Sequence, residues 1–221
     1  MAGMEQSGNM QHPLIAVLSC QQNALATDAM RETWLNNSPI EYKVFLGQTK
    51  RNRPIRANEV LLAASDDDRG LVDKVVQMIR WVREHGYTHV FKCNDDVYAV
   101  SDRLLKSCYE EHDYTGMVCN GNKWTGWKEF CLGGAGYWLS RKAMDAIVSA
   151  EIATPLVDGH VAMTLAAAGI KPVHDGRYRY THRVYKDPLP ELPESRNNIV
   201  SCAEFNYQEF SALHKQFLEG R

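Results

Sequence analysis

Apolar residues in this chain fall in short runs separated by stretches whose apolar positions recur every three or four residues. Runs at 14–18, 42–46, 60–63 and 89–91 are rich in β-branched, aromatic and Leu residues and predict strands. Between them, residues 24–34 and 70–85 predict helices. The second places Leu71, Val75, Ile79 and Val82 on one face and stops at His85-Gly86, while the first starts from Asn23 or from Thr27-Asp28. The order β-α-β-β-α-β predicts a mainly parallel sheet. Downstream, the pattern predicts a helix near 102–109, strands at 117–119 and 137–139, and helices over 141–150 and 159–168. Ser140 and Asp158 stand at the N-cap positions of these last two helices. From Asp175 onward periodicity fades, Pro188, Pro190 and Pro193 mark an extended segment, and a short helix at 207–217 closes the chain. The expected fold class is α/β: a single domain over residues 13–221, with a mainly parallel central sheet flanked by helices and a mixed second half. Residues 1–12 read as a flexible leader.

Composition narrows the classes. With 221 residues, 44% hydrophobic, the chain is long enough for one full core. A formal charge of −2 supplies no global basic field for nucleic acid or anionic membrane. No apolar stretch approaches the roughly 20 residues needed to span a bilayer, and the first residues, MAGMEQSGNMQHP, have neither a basic nor an apolar signal region. The six cysteines are scattered without a CxxC pair, which reads as reduced core thiols. These features predict a cytoplasmic protein.

The chemistry concentrates at residues 88–98, THVFKCNDDVY, where a buried-type strand runs straight into adjacent carboxylates at Asp95 and Asp96. In an open α/β sheet ligands sit beyond the carboxyl ends of strands, so an acidic pair there reads as a metal site facing a cleft. Two acids after a strand also read as a solvated turn or a cap, and spacing alone does not separate these readings.

Four further pieces surround KCNDDVY in fixed order: RETW at 31–34, FLG at 45–47, CLGGAGYWLS at 131–140 and VDGHVAMTLAAAGI at 157–170. Together they resemble the fringe-like and β1,3-galactosyltransferase group of GT-A fold glycosyltransferases, over about residues 15–182. The resemblance implies a metal-dependent, inverting hexosyltransferase that moves a sugar from a nucleotide donor, UDP-linked, to a hydroxyl acceptor, with Mn²⁺ or Mg²⁺ as cofactor. A hard cation with oxygen ligands bridges phosphates and offsets charge on a leaving diphosphate, which is why carboxylates are required there. The resemblance makes Asp96 the metal ligand, joined by a histidine near the end of the core: His182 is preferred over His174. It puts Asn94, Asp95, Gly133, Gly134, Arg31 and Lys74 on the donor, Asp158 as the base that deprotonates the acceptor, and Trp127 against the acceptor. Asn94 stands where the group usually has a third acid, Val157 where it has a second one, and Gly159-His160 replaces its Val-aromatic step.

Each position also has a plain structural reading: Asp158 as an N-cap, the glycines as a tight turn, Arg31 and Lys74 as helix charges. Fringe-like enzymes of animal cells are membrane-anchored; a chain without anchor or signal points to a bacterial, phage or viral enzyme. The acceptor is a glycan, a glycoprotein or modified DNA. The last is raised by residues 171–186, KPVHDGRYRYTHRVYK, where Lys171, Arg177, Arg179, Arg183 and Lys186 interleave with Tyr178, Tyr180 and Tyr185, a mixture suited to polynucleotides with hydroxymethylated bases. A non-catalytic sugar- or nucleotide-binding module on the same fold is a reading from another class. A metal-dependent nuclease needs more acids than Asp95 and Asp96, with Asp66, Asp67 and Asp68 the nearest supply.

Overall fold

A computed structural model describes residues 11–121, 127–180 and 198–219. In chain order the elements are β1 Pro13–Leu18, α1 Ala24–Glu32, β2 Glu41–Gln48, β3 Glu59–Ser65, α2 Leu71–Glu84, β4 His89–Asn94, β5 Tyr98–Ala99 and α3 Ser101–Leu105. There follow β6 Tyr114–Gly116, β7 Val118–Asn120, β8 Glu129–Cys131, β9 Tyr137–Ser140, α4 Arg141–Ser149, α5 Val157–Ala167, β10 Val173–His174, β11 Tyr178–Tyr180, β12 Ser201–Ala203 and α6 Phe210–Glu219.

Seven strands form the central sheet in the order β10-β6-β9-β4-β1-β2-β3. Its pairings are parallel except those made by β9, which runs against both β4 and β6. The expected α/β class, mainly parallel and then mixed, is the observed one. Because side chains alternate across a strand, β1 feeds both cores. Ile15 and Val17 pack with Met30, Trp34, Phe210 and Leu213 under α1 and α6, whereas Leu14, Ala16 and Leu18 pack with Val75, Ile79, Val82, Met144 and Val161 under α2, α4 and α5. Near-continuous apolar runs are what a strand covered on both faces needs.

Several expectations are corrected. The strand predicted at 117–119 is β7, shifted by one residue and paired with β8 outside the central sheet, whereas β6 just before it, a strand of the central sheet, was not predicted. The helix expected to reach 109 ends at Leu105, and Cys108 takes a left-handed φ of 57° before a 3-10 turn at Tyr109–Glu111. The unpatterned segment after Asp175 contributes β11 and β12, and β12 pairs with both β11 and β5 in a three-stranded sheet. These strands are too short for a period of two to register. All six cysteines are free, but only Cys93, Cys131 and Cys202 are core residues; Cys108 is exposed. Among the described residues, no helix is long and apolar enough to cross a membrane.

Candidate functional site

The chain leaves β1 for β2 and then β3 on one side, and returns to β4 on the other. The loops beyond β1 and β4 therefore diverge, and a crevice opens where the strand order reverses. A cleft of about 740 Å³ lies there, large enough for a small-molecule ligand. Its walls include Ser19 and Asn23 after β1, Asp66 after β3, Asn94, Asp95 and Asp96 at the end of β4, Gly133 and Gly134 before β9, and Asp158 on α5.

The two acids play different parts. Asp95 is held from the β1 side: Ser19 Oγ and Asn23 Nδ2 donate to its Oδ2 at 2.6 and 2.9 Å. Asn23 thus spends its side chain on the cleft rather than on capping α1. Asp96 is fixed through its backbone, whose carbonyl accepts from Phe205 N at 3.2 Å, while its Oδ1 is buried without a protein partner. Burial, reinforced by the neighbouring Asp95 charge, pushes the Asp96 carboxyl up to about 6.

The opposite wall is built on Lys92. Alternation along β4 sends this side chain to the α5 face, where it is buried. Its ammonium donates to Asn94 Oδ1 at 2.7 Å and to the Gly133 carbonyl at 3.3 Å, and sits 5.7 Å from the centre of the Tyr137 ring. Gly133 in turn donates its N–H to Asp158 Oδ2 at 3.2 Å. A Cβ on Gly133 would overlap Asp158 Oδ1, so only glycine lets the turn and the helix approach this closely. Asp158 is not the cap of α5. The helix begins two residues earlier than predicted, at Val157 with Leu156 at the N-cap position, which leaves the carboxylate facing the cleft. Burial raises the Asp158 pKa; Lys92 and the Gly133 N–H pull it down.

No family model matches the chain, and no curated protein is significantly similar to it. The residues and their geometry are what speak for its chemistry.

Of the residues singled out from sequence, Asn94, Asp95, Asp96, Gly133, Gly134, Lys74, Trp127 and Asp158 all line the one cleft. Lys74 does so with its charge already matched: Nζ donates to Asp66 Oδ1 at 3.0 Å and to the Ser19 carbonyl at 2.8 Å. Arg31 does not reach the cleft. It bonds Glu59 at 2.8 Å and Asp28 at 3.0 Å and is part of an ion-pair network that pins the β2–β3 connection, so its assignment to the donor is withdrawn. The Trp127 ring packs on the Gly159 backbone of α5, at right angles to Phe130. His174 lies on the edge strand β10, where Nδ1 accepts from Val118 N, and does not line the cleft. His182, Arg183, Tyr185 and Lys186 lie outside the described residues.

Sequence reading gave no place in the transferase site to Lys92, Ser19, Asn23, Asp66 or the segment Phe205, Asn206 and Tyr207, which forms the cleft wall beside Asp96. Lys92 alone carried a local signal, a cation at a core-facing position of a buried strand. Asp66 is a hub, accepting from Gln21 N and Gly47 N at 2.6 Å each as well as from Lys74.

Among the described residues no three His, Cys, Asp or Glu side chains converge as a ready-made metal cage. The donor set fits a divalent cation of the kind held by one or two carboxylates plus substrate phosphates: Asp96 brings a buried oxygen with no protein partner, and the protein's own bonds to Asp95 engage only Oδ2.

Proposed function

We propose that this protein is a metal-dependent, inverting glycosyltransferase of the fringe-like group, taking a sugar from a UDP-linked donor to a hydroxyl acceptor. The observation that carries the reading is the unpartnered, buried Oδ1 of Asp96 at the sheet's switch point, with the Asp158 carboxylate on the facing wall of the same cleft. An oxygen kept out of water without a hydrogen bond is costly and persists where a ligand completes it.

Asp96, with Asp95 beside it, would hold Mn²⁺ or Mg²⁺. The cation, when bound, neutralises charge growing on the leaving diphosphate. Asp158 accepts the proton of the acceptor hydroxyl as the new C1–O bond forms and the bond to the diphosphate breaks; a single displacement inverts the anomeric centre. A carboxyl raised by burial is a better base than a solvated one and suits that task. Gly133 and Gly134 bring main chain against the donor sugar, and Trp127 offers an aromatic face beside Asp158.

Rival readings lose support. Of the residues that raised the DNA reading, Tyr178 is a core residue and Arg177 is already paired with Asp175 at 2.6 Å, which weakens that reading. Asp66 is saturated by Lys74, Gln21 and Gly47, and Asp67 caps the turn at Asp68–Gly70, which leaves a nuclease short of carboxylates. A binding-only module has no use for a carboxylate whose pKa burial raises, Asp158, on the wall that faces Asp96 across the cleft.

The test is a thermal-shift screen of nucleotide sugars with Mn²⁺, followed by mass spectrometry of glycan acceptors and of hydroxymethylated DNA. A ligand at a hundred times its Kd adds about 2.7 kcal/mol of apparent stability. Asp158→Asn is expected to lose at least a hundredfold in transfer while keeping the donor-induced shift. Near-wild-type turnover in Asp158→Asn, or no shift with any UDP-sugar, removes the proposal.

A further inference from the structure

We infer that Lys92 is the positioning residue of this cleft, clamping the end of β4 to the glycine turn so that Asp158 is aimed at the acceptor. The inference deepens the transferase reading and rests on it for the identity of the base.

Three contacts carry the argument. First, the ammonium is buried but not unsatisfied: it bridges Asn94 Oδ1 and the Gly133 carbonyl, groups 39 positions apart in the chain that approach each other only in the folded sheet. Second, Gly133 is bonded on both sides of its own backbone, with its carbonyl to Lys92 and its N–H to Asp158. A Cβ placed on it would lie 3.4 Å from Lys92 Nζ and would overlap Asp158 Oδ1, so this single residue is the spacer between cation and carboxylate. Third, the bond to Lys92 orients Asn94. With Oδ1 turned toward the ammonium, its NH₂ is the group left for the cleft, so this position presents a hydrogen-bond donor to the substrate.

The electrostatics agree. Around Asp158 stand Lys92 on β4, Tyr137 on β9, Tyr114 on β6, Cys131 on β8 and Cys119 on β7, and burial pushes the two tyrosines and two cysteines above their ordinary pKa values. These four are neutral at physiological pH, which leaves Lys92 as the cation among the described residues that draws the Asp158 pKa down against burial; burial lowers the Lys92 pKa in turn, and the Asp158, Asp96 and Asp95 charges oppose that.

The experiment compares full-length wild type with Lys92→Met. In metal-free protein the Asp158 carboxyl is followed by ¹³C NMR, assigned by its loss in Asp158→Asn, and its midpoint in Lys92→Met is expected to rise by roughly one pH unit. With Mn²⁺ and UDP-sugar, the acid limb of the kcat/KM profile moves up by the same interval, a loss of roughly tenfold at pH values below the limb, with donor KM changed far less than kcat. Should Lys92→Met fail to fold by circular dichroism, Lys92→Gln keeps a donor for Asn94 and Gly133 and removes only the charge; the same rise in midpoint is expected. An unmoved Asp158 midpoint in the folded variant overturns the inference even if the wild type is an active transferase. A moved midpoint in a protein that transfers no sugar upholds the Lys92–Asp158 coupling and sinks the transferase reading instead.

Discussion

Asp96→Asn should make the metal-free protein more stable at neutral pH. Burial and the neighbouring Asp95 raise the Asp96 pKa from 3.8 to about 6, and at about 1.36 kcal/mol for each unit this corresponds to about 3 kcal/mol. A carboxyl raised on folding binds its proton more tightly in the native state, so native stability falls as pH climbs from about 4 through about 6 and the penalty is complete above pH 7. Asparagine keeps the shape and carries no charge. It should therefore recover up to about 3 kcal/mol at pH 7.5, or roughly 6–12 °C in Tm for a chain of this size, and nothing at pH 3.5. The assay is thermal and urea unfolding in EDTA at both pH values, repeated with Mn²⁺. Metal should stabilise the wild type and leave Asp96→Asn unmoved, because the cation supplies the partner that Oδ1 lacks. Equal stability of the two proteins at pH 7.5 would refute the claim that Asp96 is a buried charge awaiting a ligand.

Glu59 should behave in the opposite sense. Burial works against its charge, yet Arg53, the Arg56 N–H and Arg31 hold its carboxyl at about 2, so it stabilises the native state above pH 4.5 and the gain is lost as pH falls toward 2. Glu59→Gln should cost on the order of 3 kcal/mol at pH 7 in urea unfolding, much of it from stranding Arg31 and Arg53; a change below 0.5 kcal/mol would mean that the network is a surface decoration. Gly159→Ala should drive the Trp127 ring off α5, since a Cβ there overlaps the indole. The expected signs are altered Trp fluorescence, an acceptor KM raised roughly tenfold, or about 1.4 kcal/mol, and an unchanged donor KM. An unaltered acceptor KM would take Trp127 out of the acceptor site.

The elements with a strong repeat were legible in the chain. The four strands of the first half and α2 were found because each faces a core on one or both sides and so carries the period of its geometry: Val75, Ile79 and Val82 are a helical stripe that is buried under the sheet. Ser140 was legible as a cap because capping is a local contact, and its Oγ does accept from Ala143 N. Asp158 had the same local look and a different fate, because α5 starts at Val157 and the nearer N–H belongs to Gly133, on a distant part of the chain.

The sequence by itself determined the α/β class and the residue types that mark a site: an acidic pair after a strand, a glycine turn, and an acid at the start of a helix. Both are local, because secondary-structure period and side-chain chemistry are carried by neighbours in the chain. Only the tertiary structure decided what those residues do. It tied Asp95 to Ser19 and Asn23, left Asp96 Oδ1 without a partner, sent Arg31 to Glu59, and joined Lys92 to Asp158 through Gly133. Each of these outcomes depends on which hydrogen-bonding group lies within about 3 Å in space, and chain order does not encode that distance.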